Sequence, residues 1–157
     1  MYSVRGRTTS TGAGGLVDDG VWALWNPHPT ARVRLLSVLC VAQVAVGAVT
    51  GRASLARLSS RGTPAATVTA GISSHSRRRL APPSGALLDL GDYTGQPVID
   101  GLCLGPPFNN LAEIGAFLSH SYRGSGLCVP PGTGLGLVQV TGGNIPAMEV
   151  SLTWMED

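Results

Sequence analysis

The chain has 157 residues, 43% of them hydrophobic and 13% charged, with a formal net charge of +2. That is enough for one domain with a buried core; the hydrophobic share excludes wholesale disorder, and the small net charge gives no argument for nucleic acid. Glycine (22) and proline (11) exceed a fifth of the chain, which suits short strands joined by tight turns and suits helices badly.

Residues 1–20 are rich in Ser, Thr, Gly and Arg and contain Thr11-Gly-Ala-Gly-Gly15, which predicts a flexible or extended arm. Val21–Trp25 reads as a strand stopped by Asn26-Pro-His-Pro29. In Arg32–Val38, Arg32, Arg34, Leu36 and Ser37 alternate against Val33, Leu35 and Val38, a strand with one solvated and one buried face. It runs on into the apolar region through Val49. At about 15 residues that region falls short of the roughly 20 a membrane helix needs, and it begins too far in, after Asp18 and Asp19, for a signal peptide. No membrane partner is expected.

Arg52–Ser59 alternates loosely and ends at Arg61-Gly-Thr-Pro64. Ala66–Ala70 is a short strand, followed by a basic loop with His75 and the run Arg77-Arg78-Arg79, and then by Ala86–Leu90. Leu111–Leu118 fits a helical turn or two, or a strand in which Ile114, Ala116 and Leu118 share a parity. The chain closes with strands over Leu135–Val140 and Ala147–Trp154. In the last, Met148, Val150, Leu152 and Trp154 face one way and Glu149, Ser151 and Thr153 the other. Six to eight strands in this order predict a single all-β domain, a β-sandwich or jelly roll over residues 21–157 with the arm before it.

No motif carries chemistry. Gly132-Thr-Gly-Leu-Gly136 lacks the lysine and the following helix of a phosphate loop. Cys40, Cys103 and Cys128 make no CxxC pair and read as buried thiols; His28, His75 and His120 are scattered. Ser119-His120 lacks an orienting third group, and Gly124-Ser-Gly126 is no nucleophile elbow. Asp89, Asp92, Asp100, Glu113 and Glu149 are the carboxylates open to glycosidase work, the three Asp in Gly-rich turn contexts. The expectation is a non-enzymatic chain with no cofactor and no metal. The candidate interface residues are Trp22 and Trp25, as aromatic anchors, and Arg77, Arg78 and Arg79, as contacts for an acidic neighbour. All eleven basic residues are arginine, which suits fixed planar contacts and equally reflects a G- and C-rich genome.

Several pieces together resemble small bacteriophage virion proteins of the head-decoration, minor-capsid or fibre type. They are Trp22–Pro27, Arg32–Val38, Arg61–Thr63 leading to Thr67–Thr69, Leu80–Gly85, Pro131–Val138 and Glu149–Trp154, covering about residues 21–157. The resemblance implies a β-sandwich that self-associates on the particle, contributing structure and no catalytic residues. The resulting expectation is a capsid-associated decoration or minor capsid protein in the virion, assembled in the host cytoplasm. Its partners would be itself, as a homo-oligomer such as a trimer, and the major capsid or other virion proteins. The low charge points the same way, because an isolated monomer relies on surface charge for solubility. The alternatives are a glycan- or receptor-binding fibre module using Tyr93, Phe108 and Tyr122, and a membrane-anchored protein using residues 33–50.

Overall fold

A computed structural model describes residues 1–9, 16–43, 51–69, 72–74, 84–103, 117–122 and 124–157. Among them there is no helix. Twelve strands follow in chain order: β1 (Tyr2–Arg7), β2 (Gly20–Asn26), β3 (Val33–Ala42), β4 (Arg52–Ser60), β5 (Ala66–Val68), β6 (Ser73–Ser74), β7 (Leu87–Leu90), β8 (Val98–Cys103), β9 (Phe117–Ser121), β10 (Leu127–Val129), β11 (Thr133–Thr141) and β12 (Met148–Glu156). They form two antiparallel sheets. Sheet A runs β10-β3-β12-β1-β6, with β9 also on the free side of β3; sheet B runs β5-β7-β2-β11-β4-β8.

The inner faces of the two sheets share one core, which makes the architecture a sandwich. Sheet A supplies Val4, Leu35, Cys40, Val150, Leu152 and Trp154; sheet B supplies Trp22, Leu24, Leu55, Leu88, Leu135 and Leu137. Each such large side chain contributes roughly 1.5–3 kcal/mol on full burial. Two bulges explain where strict alternation breaks. In β3, Ser37 pairs Thr153 and Leu35 pairs Trp154, so Leu36 is the extra residue and Leu35 and Val38 both point inward. In β2, Leu137 pairs Trp22 and Val138 pairs Gly20, so Val21 is extra and is buried beside Trp22.

The N-terminus departs from the expected arm. Tyr2–Arg7 pair along their whole length with β12, Val4 is 2% exposed, and the Tyr2 ring stacks on Trp154 with centroids 6.0 Å apart. Thr8 extends the pairing, donating its N–H to the Met148 carbonyl at 2.8 Å and accepting the Met148 N–H on its hydroxyl at 2.9 Å. Residues 2–8 therefore belong to the sandwich, because Tyr2, Val4 and Gly6 alternate inward against Ser3, Arg5 and Arg7. The run Thr11–Gly15, residues 44–50, the arginine run 77–79 and most of Leu111–Leu118 lie outside the described residues; Phe117 and Leu118 begin β9.

Sheet B is also buried on its outer face. Ala23, Ala56 and Val138 are fully buried and Leu58 is 1% exposed, with Trp25 and Ile99 packed against them. Glycines opposite make this possible: a Cβ on Gly136 would lie 2.5 Å from the Trp22 carbonyl oxygen, and one on Gly134 would lie 2.7 Å from the Trp25 ring. The outer face of sheet A is different. Leu39 is 41% exposed there, and the Arg5 and Glu149 side chains are 79% and 47% exposed.

Candidate functional site

The two tryptophans singled out from sequence have separate fates. Trp22 is fully buried in the shared core and is no surface anchor, since β2 turns it inward opposite Leu137 and Leu90. Its indole N–H makes no full hydrogen bond but lies near enough to the Cys40 sulfur to favour the thiolate slightly; burial dominates and pushes that thiol up to about 12. Trp25 faces the outer side of sheet B and is half-buried over Gly134. Arg77, Arg78 and Arg79 lie outside the described residues.

Three polar or mixed features remain. The first is an ion pair on the outer face of sheet B. Asp89, opposite Ala23 in β7, is fully buried and accepts Arg61 Nε at 2.7 Å, Arg61 Nη2 at 2.6 Å and the Thr67 hydroxyl at 2.7 Å. The two-pronged guanidinium contact neutralises a carboxylate that could not otherwise sit there. Beside it the buried Tyr93 hydroxyl has no partner; burial raises its pKa, the Asp89 charge adds to this, and Arg61 opposes it. Asp89 was expected in a turn; it lies within a strand, satisfied by a residue 28 positions away.

The second is a polar depression of about 170 Å³ lined by Asp19, Gly20, Asp92, Tyr93 and Gln96. Gln96 Oε1 accepts the Gly20 N–H at 2.9 Å, and the Tyr93 ring lies against Gly20 with no room for a side chain there. Asp18 and Asp92 adopt left-handed backbone, at φ 71° and 60°, which Asp tolerates better than most residues.

The third is the outer face of sheet A, laid out in rows by the strand register. Ser3, Thr153, Ser37 and Ser121 form one row, and Arg5, Ser151, Leu39 and Ser119 the next. Beyond them Arg7, Glu149 and Val41 align. Short hydroxyl side chains keep this face low. It dips to a depression of about 140 Å³ with Leu39, Val41 and Ser151 at its base and Arg5 and Glu149 at its rim. Arg5 and Glu149 are 4.0 Å apart and largely exposed, a pair worth little to stability.

For catalysis the described residues offer no assembled set. No group of three or more His, Cys, Asp or Glu among them is placed to hold a metal ion. His120 packs its ring on Tyr122, centroids 4.6 Å apart, and His28 lies against Gly85. Cys40 and Cys128 are free thiols. Among the described residues no helix is long and apolar enough to cross a membrane. Of the aromatics that would serve a glycan site, Tyr93 is buried and Tyr122 is half-buried against the core. No family model, no curated protein and no solved structure matches the chain.

Proposed function

We propose that the chain is a non-enzymatic structural component that works by self-association, using the outer face of sheet A as its contact surface. The observation that carries this reading is the contrast between the two outer faces. Sheet B is covered, while sheet A leaves Leu39 exposed and Val41 half-buried among short serine and threonine side chains. Between the Arg5, Arg7 and Glu149 side chains, such a face lets a second surface approach to sheet-packing distance, about 10 Å. Only 13% of the whole chain is charged, which favours a covered over a solvated surface.

The assembly in question is, on this reading, a bacteriophage particle, with the chain as a head-decoration or minor capsid protein. That part rests on the sequence resemblance alone. The sandwich would be of jelly-roll type, a view supported by all-antiparallel pairing and by a chain that crosses between sheets at each step from β1 to β4. The test is co-expression of two differently tagged copies. Wild-type copies are expected to co-purify, and a Leu39→Glu copy to be lost from the pair while remaining soluble and folded. Retention of the Leu39→Glu copy at wild-type yield would remove this face from the account.

A further inference from the structure

The most exposed large hydrophobics in the described chain sit next to each other, in the turn that leads into β2. Leu16 is 67% exposed and Val17 56%. Hydrogen bonds shape the turn that presents them. The Leu16 N–H donates to Asp19 Oδ2 at 2.7 Å, the Asp18 N–H to the Gln139 carbonyl at 2.7 Å, and the Gln139 N–H to the Asp19 carbonyl at 2.9 Å. An apolar tip is thus tied to β11 and followed at once by two carboxylates, of which Asp18 is exposed.

The depression on sheet A has the opposite make-up. Its base is aliphatic, from Leu39 and Val41, and Arg5 at its rim is 79% exposed on its side chain. Arg7 stands in the next row beside Glu149, so arginines outnumber the one acid. Its volume of about 140 Å³ is close to the roughly 150 Å³ of an apolar cavity that holds a benzene-sized molecule, room for a branched aliphatic side chain.

We infer that the Leu16–Val17 tip of one copy seats in the Leu39/Val41 depression of the next, with Asp18 facing Arg5. The inference rests on the self-association reading and names its contact. Tip and depression are different surfaces, so the contact is either made twice across a two-fold dimer or runs head-to-tail into a ring such as a trimer or a filament. Burial of two aliphatic side chains supplies the attraction, and the charges select the register.

Charge reversal tests this, with sedimentation velocity as the readout. Arg5→Glu alone and Asp18→Lys alone each weaken self-association about tenfold or more, since each places like charges together. Asp19 is left intact because its carboxylate holds the turn. Mixing the two variants restores the contact between unlike copies, the acidic depression receiving the basic tip and the basic depression the acidic tip, so the mixture re-forms even-numbered assemblies or filaments and, where wild type closes as a trimer, recovers mixed pairs. A second variant, Leu16→Ala/Val17→Ala, dissociates the assembly without altering the fold, because both side chains are exposed. Wild-type oligomers unaffected by either reversal, or a mixture that stays dissociated, would overturn the tip-in-depression contact while leaving self-association standing. A wild-type chain that is monomeric at every concentration would remove both.

Discussion

Replacing Arg61 by Leu is expected to be among the most damaging single changes outside the apolar core. Asp89 is fully buried and accepts three hydrogen bonds, two of them from Arg61. Arg61 also donates to the Thr67 hydroxyl at 2.7 Å. Hydrogen bonds to a charged group contribute about 1.5–3 kcal/mol each, and breaking a buried pair by removing one partner costs about 3–5 kcal/mol. Arg61 keeps a third of its side chain in solvent, so the lower half of that range applies, about 3–4 kcal/mol. In urea this is a fall in midpoint at unchanged slope; on heating it is a loss of roughly 6–16 °C for a chain of this size. Arg61→Lys recovers only part, because an ammonium cannot present the two-pronged contact that Nε and Nη2 make. The double variant Arg61→Leu/Asp89→Leu, which buries no charge, recovers most of the loss. A cost below about 1 kcal/mol for Arg61→Leu, or a double variant as unstable as the single, would refute the claim that Asp89 is held by this pair.

Other parts of the fold give further tests. Gly136→Ala forces a Cβ to within 2.5 Å of the Trp22 carbonyl oxygen and is expected to cost about 1–3 kcal/mol by urea unfolding. Gly132→Ala, at φ 68° with open space around it, costs only the left-handed strain of about 1–2 kcal/mol. Glu156 is half-buried, and that burial raises its pKa; donors from Ser84, Trp154, Ala86 and Gly85 outweigh it and hold the carboxyl below the usual range. A pKa lowered by folding means stability that is complete above the unfolded value, about 4.3, and lost as pH falls through the folded one. Glu156→Gln therefore lowers the urea midpoint at pH 7, and the gap to wild type narrows below about pH 4; a gap independent of pH would contradict the assignment. The Cys40 thiol, pushed up to about 12 and fully buried, is expected to react with iodoacetamide at pH 8 only after unfolding. Labelling of Cys40 in the native protein at the rate of a free thiol would show that this part of the core opens.

Much of the fold was legible in the sequence where one face of a strand meets core and the other meets solvent. β12 alternates without fault, and even the bulge in β3 shows as the adjacent pair Leu36-Ser37 on the solvated side. β1 carries the same signal, Tyr2 and Val4 against Ser3 and Arg5, but the Ser/Thr/Gly composition of the segment that follows outweighed it. In sheet B the alternation fails for a physical reason. Both faces are covered, so Ser54, Leu55 and Ala56 are all buried and period two carries no information. β8 is an edge strand that follows Pro97 and contains Gly101, and β10, at three residues, is too short to show a period.

The candidate site was less legible. Trp22 and Trp25 are three positions apart, so strand alternation puts them on opposite faces; which of the two meets the shared core is set only by the pairing with β11 and the bulge at Val21. Asp89 looks like a turn residue from its glycine-rich surroundings; only a contact across 28 positions explains its burial in a strand. The exposed Leu16–Val17 tip follows directly on a glycine run, where nothing in local composition distinguishes a presented hydrophobic pair from the start of a strand. The open face of sheet A is a property of what fails to cover it, which no single strand encodes.

Whether the outer face of sheet A is covered in solution is answered most directly by the mass of the protein as a function of concentration, by sedimentation equilibrium. Wild type is expected to reach the mass of a closed oligomer such as a trimer as concentration rises, while Leu39→Glu stays at the 16.1 kDa of one chain. A wild-type mass of one chain throughout, or a Leu39→Glu mass that follows the wild-type curve, would contradict self-association through that face.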